Sequence, residues 1–156
     1  MTVLYYAFKN TESDEFIIKA LQDFTGQKKE FKIYRKKNKK PYVEDANVYF
    51  SLSHTEGLTI CAVSDCEVGA DAEKIRSLYG KEKITKRFLK KEGTLSDSEF
   101  FLKWTAFESR VKYFGESIFN PEKALSISKP AISFEKSGFA VSVCTDDNII
   151  RKELII

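Results

Sequence analysis

One histidine, one methionine, one tryptophan and three prolines stand among the 156 residues, with only three cysteines, Cys61, Cys66 and Cys144. That scarcity excludes several classes of protein. An odd number of cysteines without a C-x-x-C pair makes no disulfide framework. With His54 as the single histidine and no C-x-x-C pair, a zinc centre is not expected. Unpaired thiols fit a reducing compartment, so a cytoplasmic location is expected. No apolar run approaches the roughly 18 residues that a membrane-spanning helix needs. Met1 to Asn10 lacks a basic segment followed by a long apolar one, so no signal peptide is expected either. Charge of one sign is also lacking: 26 Lys and Arg against 23 Asp and Glu leave a formal +3, which permits an anionic ligand without requiring one.

What is present is the balance of a folded domain, 42% hydrophobic and 31% charged, with thirteen Phe and seven Tyr to build an aromatic core. One domain over residues 1–156 is the default at this length. Composition and alternation predict strands over Thr2 to Phe8, Asn47 to Ser53, Leu58 to Ser64, Glu67 to Glu73, Ala131 to Phe134, Phe139 to Cys144 and Ile149 to Ile156. His54 to Gly57 reads as a hairpin connection. Helical spacing marks Asp14 to Phe24, stopped by Gly26, and Ile84 to Leu89. The strongest helix runs from Ser96 to Phe114. Ser96 and Glu99 have capping-box spacing, Phe100, Trp104, Phe107, Val111 and Phe114 form one stripe, and Gly115 is the stop. Strands mixed with two substantial helices predict an α+β fold with antiparallel pairing.

Four features could carry chemistry. Asp71 and Glu73 are two apart on a predicted strand, so both carboxylates project from one face, where like charges call for a cation or for solvent. Gly69 beside them permits close backbone approach, to a ligand or to packing. Glu108 lies one turn before Lys112 on the strong helix. Alone that is a surface ion pair, but near Asp71 it becomes a third carboxylate with a phosphate-binding lysine. His54 ends a strand beside Ser51 and Ser53; no nucleophile-elbow pattern surrounds either serine, so a Ser/His pair is not supported, and a structural or phosphate-binding histidine remains. The basic run Lys28 to Lys40, with Phe31 and Tyr34 interleaved, is a solvated face, a nucleic-acid surface or a site for a polyphosphate ligand.

In order along the chain, three segments resemble the signature segments of the Sfp-like 4′-phosphopantetheinyl transferases. They are Ser51-Leu52-Ser53-His54, Val68-Gly69-Ala70-Asp71-Ala72-Glu73, and Phe101-Leu102-Lys103-Trp104-Thr105-Ala106-Phe107-Glu108-Ser109-Arg110-Val111-Lys112. Lys40-Pro41 is similar to that family's Gly-Lys-Pro turn, with Lys39 in place of the glycine, and Ile84 to Glu92 to the segment before its long helix. The resemblance implies two α+β halves, roughly 1–66 and 67–156, with the site in the cleft between them. It implies Mg²⁺-dependent transfer of the phosphopantetheine arm of coenzyme A to a serine of an acyl or peptidyl carrier protein, releasing 3′,5′-ADP. By motif, Asp71, Glu73 and Glu108 would hold Mg²⁺, His54 and Lys112 would contact phosphates, and Lys40, Pro41 and Ser53 would line the nucleotide end. Glu108 would also help deprotonate the serine. A monomer is expected, since two fused halves already form the cleft. Phe107 stands where the motif has lysine and extends the apolar stripe, so it is expected to pack inward. Two other readings stay open: a weakened or non-catalytic relative that binds coenzyme A or a carrier protein, and a nucleic-acid-binding module built on the basic run.

Overall fold

A computed structural model describes residues 1–44, 47–90 and 93–156; Lys91 and Glu92, the end of the segment before the long helix, lie outside the described residues. The chain is α+β, built on two sheets. The first orders its strands β2 (Tyr49–Thr55), β3 (Leu58–Ser64), β1 (Thr2–Ala7) and β7 (Ile149–Glu153). The second orders them β4 (Gly69–Lys74), β6 (Phe139–Cys144) and β5 (Ala131–Lys136). Among the described residues the strand pairings are antiparallel except β1 with β7, which run parallel. The last strand therefore returns to the sheet in which the chain began.

Period-two alternation sorts the side chains of each strand onto two faces. On β1, Val3, Tyr5 and Ala7 pack beneath helix α1 (Ser13–Thr25), whose Phe16, Ile17, Ala20 and Leu21 are fully buried. Each such large apolar side chain contributes about 1.5–3 kcal/mol. Gly26 ends α1 at φ 68°, a left-handed conformation that costs glycine nothing. The opposite face of the first sheet, through Leu4, Leu58, Ile60 and Ala62, meets Val68, Ala70, Ala72, Val141 and Val143. The other face of the second sheet carries α3 (Asp97–Tyr113), with Phe100 and Phe101 against Ala140. The result is four layers: α1, sheet, sheet, α3.

The capping box at α3 forms as predicted: Ser96 accepts from the Glu99 amide and Glu99 accepts from the Ser96 amide, both at 3.2 Å. Its stripe is covered by elements the sequence signals only faintly. Helix α2 (Lys81–Ile84) runs directly into a π-helical turn, Thr85–Leu89, and α4 (Glu122–Ser126) is too short for periodicity to mark. Phe88, Leu89, Ala124 and Leu125 from these pieces close over Phe107 and Val111. Phe107 is wholly buried, as its place on the stripe predicts.

The basic run Lys28 to Lys40 forms no regular helix or strand. A two-way backbone bridge between Tyr34 and Tyr42, with their rings stacked at 5.6 Å, closes the loop that carries Lys36 to Pro41. Lys32 and Lys36 lie over those two rings at 5.1 and 5.2 Å, so part of the run's charge is turned back onto its own aromatics.

Candidate active site

Strand β4 is an edge of the second sheet, so the N–H groups of alternate residues point away from β6. Hydroxyls of β2 take them up. Ser51 Oγ accepts from the Ala70 amide at 3.0 Å, Ser53 Oγ from Ala72 at 3.2 Å, and Thr55 Oγ1 from Lys74 at 3.4 Å. This hydroxyl ladder splices the two sheets. Its sequence trace is the alternation Ser51, Ser53, Thr55, which local reading leaves without a partner.

Across the same seam α3 presses on β4 at Gly69. A Cβ there would lie 2.0 Å from the Ser109 carbonyl oxygen and 2.4 Å from the Tyr113 nitrogen, so the glycine serves packing between backbones. Thr105 and Ser109 line this second, buried face of the helix, satisfying their hydroxyls on carbonyls three and four residues back. Thr105 also bonds Ser142 of β6 at 2.7 Å.

Seating the helix this closely brings Glu108 to Asp71 and Glu73. The three carboxylates offer oxygens that all lie within 4.8 Å of one another. Asp71 is 3% exposed; its Oδ1 accepts from Lys112 Nζ at 2.8 Å and from Ser53 Oγ at 3.0 Å, while its buried Oδ2 has no hydrogen-bond partner. Lys112 Nζ also donates to the carbonyls of Ala70 and Leu52, at 3.0 and 3.4 Å. Glu73 accepts from Arg76 at 3.2 Å. Burial, then the Asp71 charge and a hydrogen bond from the protonated Glu108 carboxyl to Asp71, push Glu108 up to about 8, with Lys112 opposing. The same two causes raise Glu73, opposed by Arg76. Three converging carboxylates, with Asp71 Oδ2 engaged by neither Lys112 nor Ser53, could hold a hard divalent cation. A second group, Asp65, Cys66 and Asp147, has another explanation: the Met1 ammonium bonds both aspartates, at 2.6 and 2.8 Å.

Lys112 is shared with a cleft of about 310 Å³ that Lys40, Pro41, Ser51 and Leu52 also line. Lys40 reaches Glu67 and the Val68 carbonyl, the latter at 2.8 Å. Of the motif residues, the fold thus joins Lys40, Pro41, Ser53, Asp71, Glu73, Glu108 and Lys112 along one seam. His54 stands apart: it is exposed and alternates with Ser53, so it does not point into the ladder.

No family model matches the chain. Two curated proteins are similar to it. The 4′-phosphopantetheinyl transferase gsp of Aneurinibacillus migulanus is 31% identical over 99 residues, covering 58% of this chain and 40% of its own length. The 4′-phosphopantetheinyl transferase HetI of Nostoc sp. (strain PCC 7120) is 30% identical over 120 residues, 68% of this chain and 51% of its own length. This chain is a relative of the 4′-phosphopantetheinyl transferases. It spans about half the length of the curated relatives it matches. Its two-sheet α+β architecture agrees with the expectation raised by the transferase motifs. No helix among the described residues is long and apolar enough to cross a membrane.

Proposed function

We propose that this chain transfers the 4′-phosphopantetheine arm of coenzyme A to a serine hydroxyl of an acyl or peptidyl carrier protein in the cytoplasm, releasing 3′,5′-ADP. Asp71, Glu73 and Glu108 would hold Mg²⁺. The observation that carries this reading is the convergence of those three carboxylates within 4.8 Å of one another, beside a cleft lined by Lys40 and Lys112. When bound, the cation supplies neutralisation of charge on the pyrophosphate oxygens. Lys112 and Lys40 add positive charge at the cleft, and Pro41 shapes its wall. His54 is reached from solvent and would meet a phosphate at the rim. The serine oxygen forms a bond to the pantetheine-side phosphorus as the anhydride bond to 3′,5′-ADP breaks. Glu108 receives the serine proton directly or through water. Positioning and charge do the rest, and no covalent enzyme intermediate is needed. Intact-mass spectrometry of an apo carrier protein, incubated with this chain, coenzyme A and Mg²⁺, should show one added phosphopantetheine arm. No shift across several carrier proteins would reject the reading.

Titration of the carboxylates gives a separate check. Glu108 ionises near its ordinary 4.5 when unfolded and near 8 when folded. Across that window the unfolded chain binds fewer protons, so stability falls as pH rises. Cation binding needs the ionised carboxylates. The rise in Tm on adding Mg²⁺ should therefore be several degrees larger at about pH 8 than at about pH 6. Equal rises would place the cation elsewhere.

A second reading, a relative that binds without turning over, draws on Phe107 in the lysine position of the motif. Phe107 is buried among Phe88, Trp104 and Val111, away from the carboxylates. Phe107→Lys should lower stability by about 2–4 kcal/mol and leave the transfer rate within about threefold. A tenfold gain would show that a lysine here reaches the phosphates and that this chain is a weakened enzyme.

A further inference from the structure

Ser53 occupies a place in the ladder that Ser51 and Thr55 do not. All three hydroxyls accept an amide of β4, but Ser53 alone among them donates to a carboxylate, Asp71 Oδ1, at 3.0 Å. A serine hydroxyl has one proton, and here that proton is engaged. Ser53 is 7% exposed and fixed on a strand paired along its length with β3. It is therefore poorly placed to donate to a nucleotide and well placed to hold a neighbour still.

The neighbour is Asp71, whose carboxylate turns about a broad, two-fold torsion. Two donors act on Oδ1. Lys112 is long, 29% exposed and shared with two carbonyls, so it can follow a rotating carboxylate. Ser53 cannot follow. With Oδ1 held by both donors, Oδ2 is the oxygen that neither engages, on a carboxylate grouped within 4.8 Å of Glu73 and Glu108.

We propose that Ser53 is a positioning residue for the cation site, orienting Asp71 so that Oδ2 serves as the ligand. The proposal rests on the reading of Asp71, Glu73 and Glu108 as a cation site. Groups that orient a metal ligand from behind commonly change affinity about ten- to a hundredfold when removed. Ser51 supplies the control, since it makes the same kind of bond to β4 but touches no carboxylate.

The test is the affinity for Mn²⁺ alone, read from the electron paramagnetic resonance signal of the free ion, together with Tm. Both Ser53→Ala and Ser51→Ala should lower Tm, Ser53→Ala by more because it also loses the bond to Asp71. Ser53→Ala should weaken Mn²⁺ binding about tenfold, and Ser51→Ala should leave it within about twofold. Should Ser53→Ala fail to fold, Ser53→Cys, with a much weaker donor in the same place, makes the same comparison. Equal Mn²⁺ affinity in the Ser53 variant and the parent overturns the positioning role while keeping the cation site. Equal weakening by both serine variants also overturns it, leaving only a sheet splice. A parent chain that binds no Mn²⁺ removes both the role and the cation reading.

Discussion

Glu108→Gln is expected to lower phosphopantetheine transfer by about a thousandfold or more while making the metal-free protein more stable. The loss follows because glutamine is neither an anionic ligand nor a base. The gain follows from the site itself: Glu108 is packed against Asp71 and Glu73, and its carboxyl is raised by burial and by the Asp71 charge. A glutamine amide removes that repulsion and can donate to the Asp71 carboxylate as the protonated acid does. Stabilisation of about 1–2 kcal/mol is expected at pH values near 8, or roughly 2–8 °C in Tm. At about pH 5 the gain should shrink, because native Glu108 then keeps its proton and already resembles the amide. Thermal melts at the two pH values and a mass-spectrometric transfer assay check both halves. Undiminished transfer would remove Glu108 from the chemistry, and a fall in Tm at the higher pH would mean that the carboxylates do not repel.

Gly69→Ala should be the most damaging small substitution in the chain. The added Cβ meets two backbone atoms of α3, at 2.0 and 2.4 Å, and backbone cannot swing aside as a flexible side chain does. A cost above about 3 kcal/mol is expected, near 10 °C in Tm, or failure to fold. Function should fall with it, since β4 carries Asp71 and Glu73 while α3 carries Glu108 and Lys112. Parting the two elements separates the ligands, so residual folded protein should bind Mn²⁺ weakly. An alanine variant with near-parental Tm would show that α3 does not sit this close.

Much of this arrangement could be read in the chain. The capping box, the apolar stripe of α3 and the projection of Asp71 and Glu73 from one face are consequences of short-range geometry, and they appear where predicted. The buried face Phe101, Thr105, Ser109 was not legible. Threonine and serine count as polar in any pattern, yet here they are buried because their hydroxyls bond back to the helix and across to Ser142. Lys112 was expected to contact phosphates from its motif alone, and the sequence held no sign of the bonds by which the fold ties it to Asp71 and two carbonyls. The alternation Ser51, Ser53, Thr55 looked like strand surface until β4 arrived with its unpaired amides.

By itself the sequence determined the longer helices and most strands, the family likeness and the residue types of the site, because caps, periodicity and motif spacing act within a few turns or one strand. Only the tertiary structure decided which face of α3 meets β4, that the last strand returns beside the first, and that three carboxylates from two distant segments share one point. Those outcomes depend on contacts between residues tens of positions apart, chiefly the close approach at Gly69 and the hydroxyl seam from β2. No local preference encodes them.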